Sequence, residues 1–137
     1  MKILLIDDDR LLRRAIERTL SKAGYNMIVA ADGEEGLRLA TEADLNLIVL
    51  DMMLPKMTGL SVLRKLKQDP LTKQIPVIVL SGLSQHNEAK LRKEGAAGYV
   101  EKSDEVFDND LTHLIRAIES ILGNTSVAQP VLSNAIG

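Results

Sequence analysis

Cysteine is absent from this sequence of 137 residues, and aromatic residues make up only 2% of it. Without cysteine the chain has no disulfide bond, no thiolate nucleophile and no zinc site built on thiolates. With so few aromatic side chains, little is available to hold a flavin ring. No run of about twenty apolar residues occurs, and the start of the chain lacks the long apolar stretch of a signal peptide. These absences favour a cytoplasmic protein that does not enter a membrane.

An excess of charge of one sign is lacking as well. Seventeen basic and nineteen acidic residues give a formal net charge of -2. This balance provides no electrostatic footprint for nucleic acid or for an anionic membrane, so direct binding to either is not predicted. The length and the hydrophobic fraction of 45% are typical of a single globular domain that can bury a core.

Short apolar runs alternate with helical patterns five times along the chain. This alternation predicts an α/β protein with a doubly wound, five-stranded parallel sheet and helices on both faces. The third and fourth runs are almost entirely apolar, as expected for central strands that are buried on both sides. The predicted strands are Ile3–Ile6, Met27–Ala31, Leu45–Leu50, Ile75–Leu80 and Gly98–Val100.

Polar residues that commonly cap helices stand before four of the predicted helices. The predicted N-caps are Asp9, Asp32, Thr58 and Ser84. Glu35 follows Asp32 by three residues, which is the spacing of a capping box. The sequence therefore predicts where these helices begin as well as that they exist.

The fourth and the last helices are predicted to be held very differently. The stretch Gln85–Glu94 offers only Ala89 and Leu91 for burial, so we expect weak packing and low local stability there. The last helix has a broad apolar stripe formed by Leu111, Leu114, Ile115, Ile118, Ile121 and Leu122. Beyond it the composition loses any period. We therefore assign residues 1–123 to one domain and residues 124–137 to a tail or linker.

Carboxylates follow two of the predicted strands at the point where each strand ends. Asp7 and Asp8 come directly after the first strand, and Asp51 follows the third. Because the carboxyl ends of parallel strands converge on one crevice, we expect these acids to meet. Two like charges about 4 Å apart repel by about 4 kcal/mol at an effective dielectric constant near 20, so such a cluster requires a cation or raised pKa values. A hard divalent ion such as Mg²⁺ suits it.

A hydroxyl and a fixed cation accompany the acids. Ser81 ends the fourth strand and Lys102 follows the fifth. Such a set suits a phosphoryl group held on Asp51, because Mg²⁺ and Lys102 would neutralise charge on its oxygens while Ser81 would donate a hydrogen bond.

These residues, in this order and at these strand ends, resemble the receiver domain of two-component response regulators. The resemblance extends from Met1 to about Gly123, and it includes Leu54, Pro55 and Gly59 in the loop after the third strand. It implies a flavodoxin-like sheet with the strand order 2-1-3-4-5.

The resemblance implies a role for each matched residue. Asp51 matches the phosphoacceptor, while Ser81 and Lys102 match the hydroxyl and the lysine that assist phosphoryl transfer. The implied ligands of Mg²⁺ or Mn²⁺ are Asp7, Asp8, Asp51 and the backbone carbonyl of Met53. A histidine kinase or a histidine phosphotransfer protein is the implied donor.

The resemblance also implies a response to phosphorylation. Ser81 and Tyr99 match the switch positions, which would remodel the face made by the fourth helix, the fifth strand and the fifth helix. A downstream protein, an output domain or a second copy in a homodimer would meet this face. The family tunes the lifetime of the phosphoryl group at positions that match Met53 and Leu83. Neither of these side chains can orient a water, so slow self-dephosphorylation is expected.

One residue departs from the family pattern and keeps other functions open. Ser103 follows Lys102 where the family has a proline in a cis peptide. A cis bond before a non-proline residue costs about 3 to 4 kcal/mol, so the sequence leaves open whether this bond is cis or trans and how Lys102 is aimed. A degenerate receiver that binds partners without phosphorylation is therefore an alternative.

Two further classes are weakened by particular residues. A magnesium-dependent phosphohydrolase with an aspartate nucleophile usually has a second acid two residues after the nucleophile, where this chain has Met53. A flavin-binding module would need a phosphate-binding loop where the acidic run follows the first strand. Enzymatic turnover is therefore not predicted, although the chain should assist its own phosphorylation and dephosphorylation.

Overall fold

The structure is a single parallel sheet covered by helices on both faces. The computed structural model describes residues 1–82, 88–102 and 106–123, with the backbone alone described for 106–110. The strands are β1 (Lys2–Ile6), β2 (Asn26–Ala30), β3 (Leu47–Asp51), β4 (Val77–Ser81) and β5 (Gly98–Glu101). The helices are α1 (Arg10–Lys22), α2 (Gly33–Glu42), α3 (Gly59–Gln68), α4 (Glu88–Lys93) and α5 (Val106–Leu122).

The sheet has the predicted topology. All pairings are parallel, and the order is β2-β1-β3-β4-β5. One apolar layer packs α1 and α5 against the sheet, and a second packs α2, α3 and α4 against the opposite face. Every residue of β3 and β4 is buried, as their apolar sequences predicted. Each large aliphatic side chain buried in these layers contributes about 1.5 to 3 kcal/mol.

The bounds of the two central strands differ slightly from the prediction. β3 and β4 each begin two residues later than predicted and end one residue later, at Asp51 and Ser81. Pro76 explains the later start of β4, because proline has no N–H to contribute to a sheet. Its carbonyl still accepts a hydrogen bond of 2.9 Å from the N–H of Ile48. The later ends place Asp51 and Ser81 within the hydrogen-bonded sheet.

Three of the predicted N-caps are confirmed, because their side chains accept hydrogen bonds from backbone N–H groups of the first turn: Asp9, Asp32 and Thr58. The capping box at α2 forms differently from the prediction. Glu35 donates its N–H to Asp32, but its carboxylate accepts a hydrogen bond from Ala31 rather than from Asp32. Ser84 lies outside the described residues.

The fourth helix is attached by few contacts, as predicted. Within the described part of the chain it begins at Glu88, so residues 85–87 of the prediction are not covered. Leu91 is its one buried residue, whereas Ala89 is exposed and the prediction of its burial was wrong. An ion pair between Glu94 and Arg64 of α3 adds a second attachment.

The fifth helix closes the fold with the apolar stripe that the sequence predicted. Leu114 and Ile118 are fully buried, and the other predicted members of the stripe are partly buried against the same layer. The helix ends at Leu122, and the φ of 69° at the following Gly123 is a left-handed conformation that glycine adopts readily. Residues 124–137, the predicted tail or linker, lie outside the described part. No described helix is both long and apolar enough to cross a membrane.

Candidate functional site

The carboxyl ends of four strands bring the predicted site residues to one edge of the sheet. Parallel pairing aligns Ile6 with Leu50, Asp51 with Leu80 and Ser81 with Glu101, so the strand ends stand level. Asp7 follows β1, Asp51 ends β3, Ser81 ends β4 and Lys102 follows β5. A cleft of about 650 Å³ opens at this edge, lined by Asp8, Asp51, the loop after β3 and Lys102, which are up to 94 residues apart in sequence. Asp7 and Ser81 are buried at the same edge of the sheet.

Three carboxylates form an acidic cluster at this edge, made up of Asp7, Asp8 and Asp51. One oxygen atom from each lies within 4.8 Å of the others. Asp7 and Asp51 are almost completely buried, whereas Asp8 is exposed to the cleft. The cluster therefore combines two desolvated carboxylates with one that solvent reaches.

Each of the two buried carboxylates accepts a hydrogen bond on one of its oxygen atoms and none on the other. Oδ1 of Asp7 accepts a hydrogen bond of 2.9 Å from the N–H of Asp9, and Oδ1 of Asp51 accepts one of 3.0 Å from the N–H of Met53. The Oδ2 atom of each is buried and accepts no hydrogen bond from any described residue. Buried oxygen atoms without donors are costly, so both are available to a ligand that brings positive charge or protons.

The pKa of Asp7 reflects this cost. Burial raises it from 3.8 to about 7, and the N–H of Asp9 opposes the rise by stabilising the charged form. The negative charge of Asp51 raises the pKa further, while the positive charge of Lys102 lowers it. Near neutral pH, Asp7 is consequently poised between its protonated and charged forms.

Lys102 points at the buried acid of β3. Its Nζ lies 3.2 Å from Oδ2 of Asp51, and its side chain is 22% exposed. The distance is that of an ion pair, although the angles are not those of a hydrogen bond, which is why Oδ2 still lacks a donor. The sequence left the aim of this lysine open because Ser103 stands where the family has proline, and in the structure Lys102 is directed at Asp51. The Lys102–Ser103 peptide itself lies outside the described residues.

The remaining predicted residues stand around this centre. Ser81 is buried at the end of β4, and its carbonyl accepts a hydrogen bond of 2.7 Å from the N–H of Lys102. Tyr99 is half-buried and packs against the apolar layer that holds α4. Met53 is 58% exposed at the mouth of the cleft. Leu83 lies outside the described part of the chain.

A close backbone approach fixes the loop after β3. The N–H of Gly59 donates a hydrogen bond of 3.1 Å to the carbonyl of Met52. A Cβ atom at Gly59 would lie 2.5 Å from the carbonyl oxygen of Asp51 and from the Cα of Met52, so only glycine fits there. The first turn of α3 is thereby held directly against the strand that carries Asp51.

Sequence reasoning missed one side chain that contacts this site. Arg13 of α1 donates a hydrogen bond of 2.9 Å from Nη1 to the backbone carbonyl of Asp7. The residue is half-buried, whereas its neighbour Arg14 is exposed. The sequence did contain a signal for this contact: Arg13 lies three residues before Ile16, on the face of α1 that packs against the sheet. A guanidinium that is partly buried there normally requires a hydrogen-bond acceptor.

The donor set fits a hard divalent ion. Carboxylate oxygens are ligands that Mg²⁺ and Mn²⁺ prefer, and the acidic cluster presents three of them together. The two buried Oδ2 atoms without donors are the observation that carries this fit. An ion there would relieve the repulsion that raises the pKa of Asp7.

Fold and site together define an α/β domain whose functional edge is an acidic, lysine-bearing cleft. Residues 3–116 match the family model of the response regulator receiver domain, and the chain belongs to that family. It is a receiver domain of the two-component phosphorylation switch type.

Curated relatives support the same assignment. The chain is 34% identical over 136 residues to "Probable transcriptional regulator ycf27" of Porphyridium aerugineum, which covers 97% of this chain and 55% of that protein. It is 41% identical over 118 residues to "Transcriptional regulatory protein CpxR" of Escherichia coli K12, which covers 85% of this chain and 48% of that protein. The chain thus spans about half the length of these relatives.

Solved receiver domains have the same fold. The receiver domain of the Francisella response regulator 1452 superposes with a TM-score of 0.79 at 30% identity, covering 90% of this chain and 98% of that one. The response regulator TrrA of Thermotoga maritima, solved in complex with Mg²⁺-BeF, superposes with a TM-score of 0.75 at 28% identity, covering 88% and 98%.

Proposed function

We propose that this chain accepts a phosphoryl group on Asp51 from a phosphohistidine, and that this modification switches its affinity for a downstream partner. The observation that carries the proposal is the state of Asp51 Oδ2. This atom is buried, lacks a hydrogen-bond donor among the described residues, and lies 3.2 Å from Lys102 at the edge of an open cleft. A nucleophilic oxygen, a cation beside it and room for a donor are the requirements of phosphoryl transfer.

The chemistry follows from these positions. An oxygen of Asp51 attacks phosphorus, the bond from phosphorus to the donor imidazole nitrogen breaks, and the imidazole leaves with its electron pair. Lys102 neutralises charge on the transferred oxygens, and the hydroxyl of Ser81 donates a hydrogen bond to one of them. Mg²⁺ or Mn²⁺, held by the acidic cluster and the carbonyl of Met53, would supply the remaining positive charge.

The response would be a shift between two conformations. The phosphoryl group brings a charge of about -1.5 to -2, which attracts Ser81 and Lys102. Movement of Ser81 would make room for Tyr99, which packs against the layer that contains α4. A differential of about 1.4 kcal/mol moves such an equilibrium tenfold. The face formed by α4, β5 and α5 would then bind an output domain, a downstream protein or a second copy of the chain.

Turnover as a hydrolase is the less supported alternative. Met53 stands where such enzymes place a second acid, so this chain has no side chain at that position to activate water. The proposed protein assists its own phosphorylation and dephosphorylation only. The other alternative, a degenerate receiver that is never phosphorylated, rests on Ser103 and is opposed by the short distance between Lys102 and Asp51.

Partners and location are proposed on chemical grounds. The donor is a histidine kinase or a histidine phosphotransfer protein, and the setting is cytoplasmic. Relatives are named as transcriptional regulators, and one from Synechocystis is named as DNA-binding. We propose no direct contact of this chain with nucleic acid, because its net charge of -2 gives no basic surface overall. Any such activity would belong to the parts of those proteins that this chain does not match.

Incubation with a small phosphodonor and Mg²⁺, followed by intact-mass measurement, tests the proposal. We expect a labile gain of one phosphate that Asp51→Asn or chelation of the metal abolishes. Asp44→Asn is the matched control. Asp44 is exposed and precedes β3, whereas Asp51 ends this strand, so replacing Asp44 should leave the gain of phosphate unchanged. No gain in the unmodified chain would favour the degenerate receiver, and continuous release of phosphate over many turnovers would favour the hydrolase.

A further inference from the structure

We propose that Arg13 is a positioning residue of the candidate site, which sets the affinity for Mg²⁺ by fixing the backbone that carries Asp7 and Asp8. The inference rests on the proposed function, because it concerns the same ion. Its basis is the hydrogen bond of 2.9 Å from Nη1 of Arg13 to the carbonyl oxygen of Asp7.

The loop between β1 and α1 is also held at its two ends, where Asp7 joins the sheet and Asp9 caps α1. The N–H of Asp7 donates to the carbonyl of Ala30 at 3.0 Å, which continues the pairing of β1 with β2. The carboxylate of Asp7 and the N–H of Asp9 bond to each other within the loop. Among the described residues, Arg13 is the one side chain from beyond the loop that bonds to the Asp7 backbone. It connects the second turn of α1 to the residue that bears a buried ligand oxygen.

Arg13 acts through the backbone rather than through its charge at the carboxylate. The guanidinium bonds the carbonyl oxygen of Asp7 and not Oδ2 of its carboxylate. It therefore leaves Oδ2 of Asp7 without a donor and open to an ion. A guanidinium that bonded Oδ2 directly would compete with the metal, whereas one that bonds the carbonyl holds the ligand in place.

The direction in which Mg²⁺ affinity changes when Arg13 is removed distinguishes a positioning role from a purely electrostatic one. Removing a cation near an acidic cluster should tighten the binding of Mg²⁺ if charge alone matters, because repulsion between the two cations is lost. Removing a positioning residue should weaken binding, because the ligand oxygens are no longer held in place. Outer partners of metal ligands commonly change metal affinity by about 10- to 100-fold. We expect about 3- to 10-fold here, because the bond reaches the backbone of the ligand residue and not its carboxylate.

The experiment is a titration of the folded chain with Mg²⁺, followed by amide NMR shifts of the loop. Arg13→Ala should raise the Kd, and Arg13→Lys, which can still donate to the carbonyl, should restore part of the affinity. Arg14→Ala removes the same charge from the neighbouring position, whose side chain makes no bond to any described residue, and should change the Kd by less than about twofold. Arg13→Met keeps the packing of the aliphatic stem, so it replaces the alanine variant if that variant does not fold.

The outcomes separate this inference from the proposed function. If the unmodified chain shows no saturable binding of Mg²⁺, the proposed function fails and the inference fails with it. If the unmodified chain binds and Arg13→Ala or Arg13→Met binds equally well or more tightly, the inference alone is overturned. Equal weakening by the Arg13 and Arg14 variants would also overturn it, because the effect would then not depend on the hydrogen bond from Arg13 to Asp7. A perturbed amide resonance at Asp9 in the Arg13 variants, before any metal is added, is the expected signature of a displaced loop.

Discussion

Replacing Asp7 by asparagine should stabilise this protein when no divalent metal is present. Asp7 is fully buried, and the folded state raises its pKa from 3.8 to about 7, first through desolvation. At 1.36 kcal/mol for each pH unit, ionising this group in the folded chain costs up to about 4 kcal/mol. Asparagine carries no charge, and its carbonyl oxygen can still accept the hydrogen bond from Asp9. We therefore expect Asp7→Asn to unfold with a free energy higher by roughly 2 to 4 kcal/mol at pH 8 in chelator.

The dependence on pH identifies the cause. Below pH 3.8 the carboxyl is protonated in both the folded and the unfolded chain, so it contributes no difference. Between pH 3.8 and about 7 the unfolded chain loses its proton while the folded chain keeps it, so stability falls as pH rises. Above about pH 7 the carboxyl is charged in both the folded and the unfolded chain, and stability falls no further. The advantage of Asp7→Asn should therefore grow across this interval and then level off.

Urea denaturation followed by circular dichroism measures this effect at several pH values. Asp8→Asn is the matched control, because the exposed carboxylate of Asp8 loses little solvation on folding. Adding Mg²⁺ should stabilise the unmodified chain through mass action and leave Asp7→Asn almost unchanged. Identical slopes of stability against pH in the unmodified chain and in Asp7→Asn would refute the reasoning, because they would show that Asp7 is not the group held near pKa 7.

Three further predictions concern other parts of the fold. Gly59→Ala should destabilise the chain by about 1 to 3 kcal/mol and slow phosphorylation, because the added Cβ would meet the backbone of β3. Gly82→Ala is the control: its Cβ would stand in open space, so the urea midpoint should change much less. Glu94→Gln removes the ion pair to α3, so it should accelerate amide hydrogen exchange in α4 and leave exchange in α5 unchanged. Strong protection throughout α4 in both the unmodified chain and the variant would show that this helix is not loosely held. Installing Met53→Asn together with Leu83→Glu should shorten the lifetime of the phosphoryl group, since both new side chains can orient water, and unchanged decay of the phosphorylated mass would contradict this.

The sheet and the site edge could be predicted because both depend on local patterns. Buried strands have apolar sequences of limited length, and the polar residue after each apolar run marks where the strand ends. Parallel pairing then requires those ends to meet, so Asp7, Asp51, Ser81 and Lys102 could be placed together from the order of elements alone. The backbone positions of these residues follow from the strand ends, which differ from the prediction by one residue in β3, β4 and β5.

What the sequence could not predict are contacts between side chains and distant backbone. The side chain of Asn46 accepts a hydrogen bond from the N–H of Lys2, 44 residues away, which fixes the start of β1 and has no local signal. The bidentate bond from Arg64 to Glu94 joins α3 to the end of α4 across 30 residues. The direction of Lys102 was left open by Ser103, because the local cost of a cis peptide bond says nothing about the attraction of a buried carboxylate. Tertiary electrostatics decided that position.

Burial of two carboxylates explains both the cost and the use of this site. Water around Asp7 and Asp51 would lower the repulsion between them, yet it would also weaken every interaction with an incoming ion or phosphoryl group. Desolvation raises the pKa of Asp7, and Oδ2 of Asp7 and Oδ2 of Asp51 have no hydrogen-bond donor among the described residues. The two carboxylates therefore remain unfavourably solvated in the folded chain until positive charge is added. Lys102 supplies part of that charge at 3.2 Å from Asp51, and its side chain also lines the cleft, where an incoming anion would meet it. A site that was already neutral and fully hydrogen-bonded would gain little from a ligand, and so could not drive a conformational change.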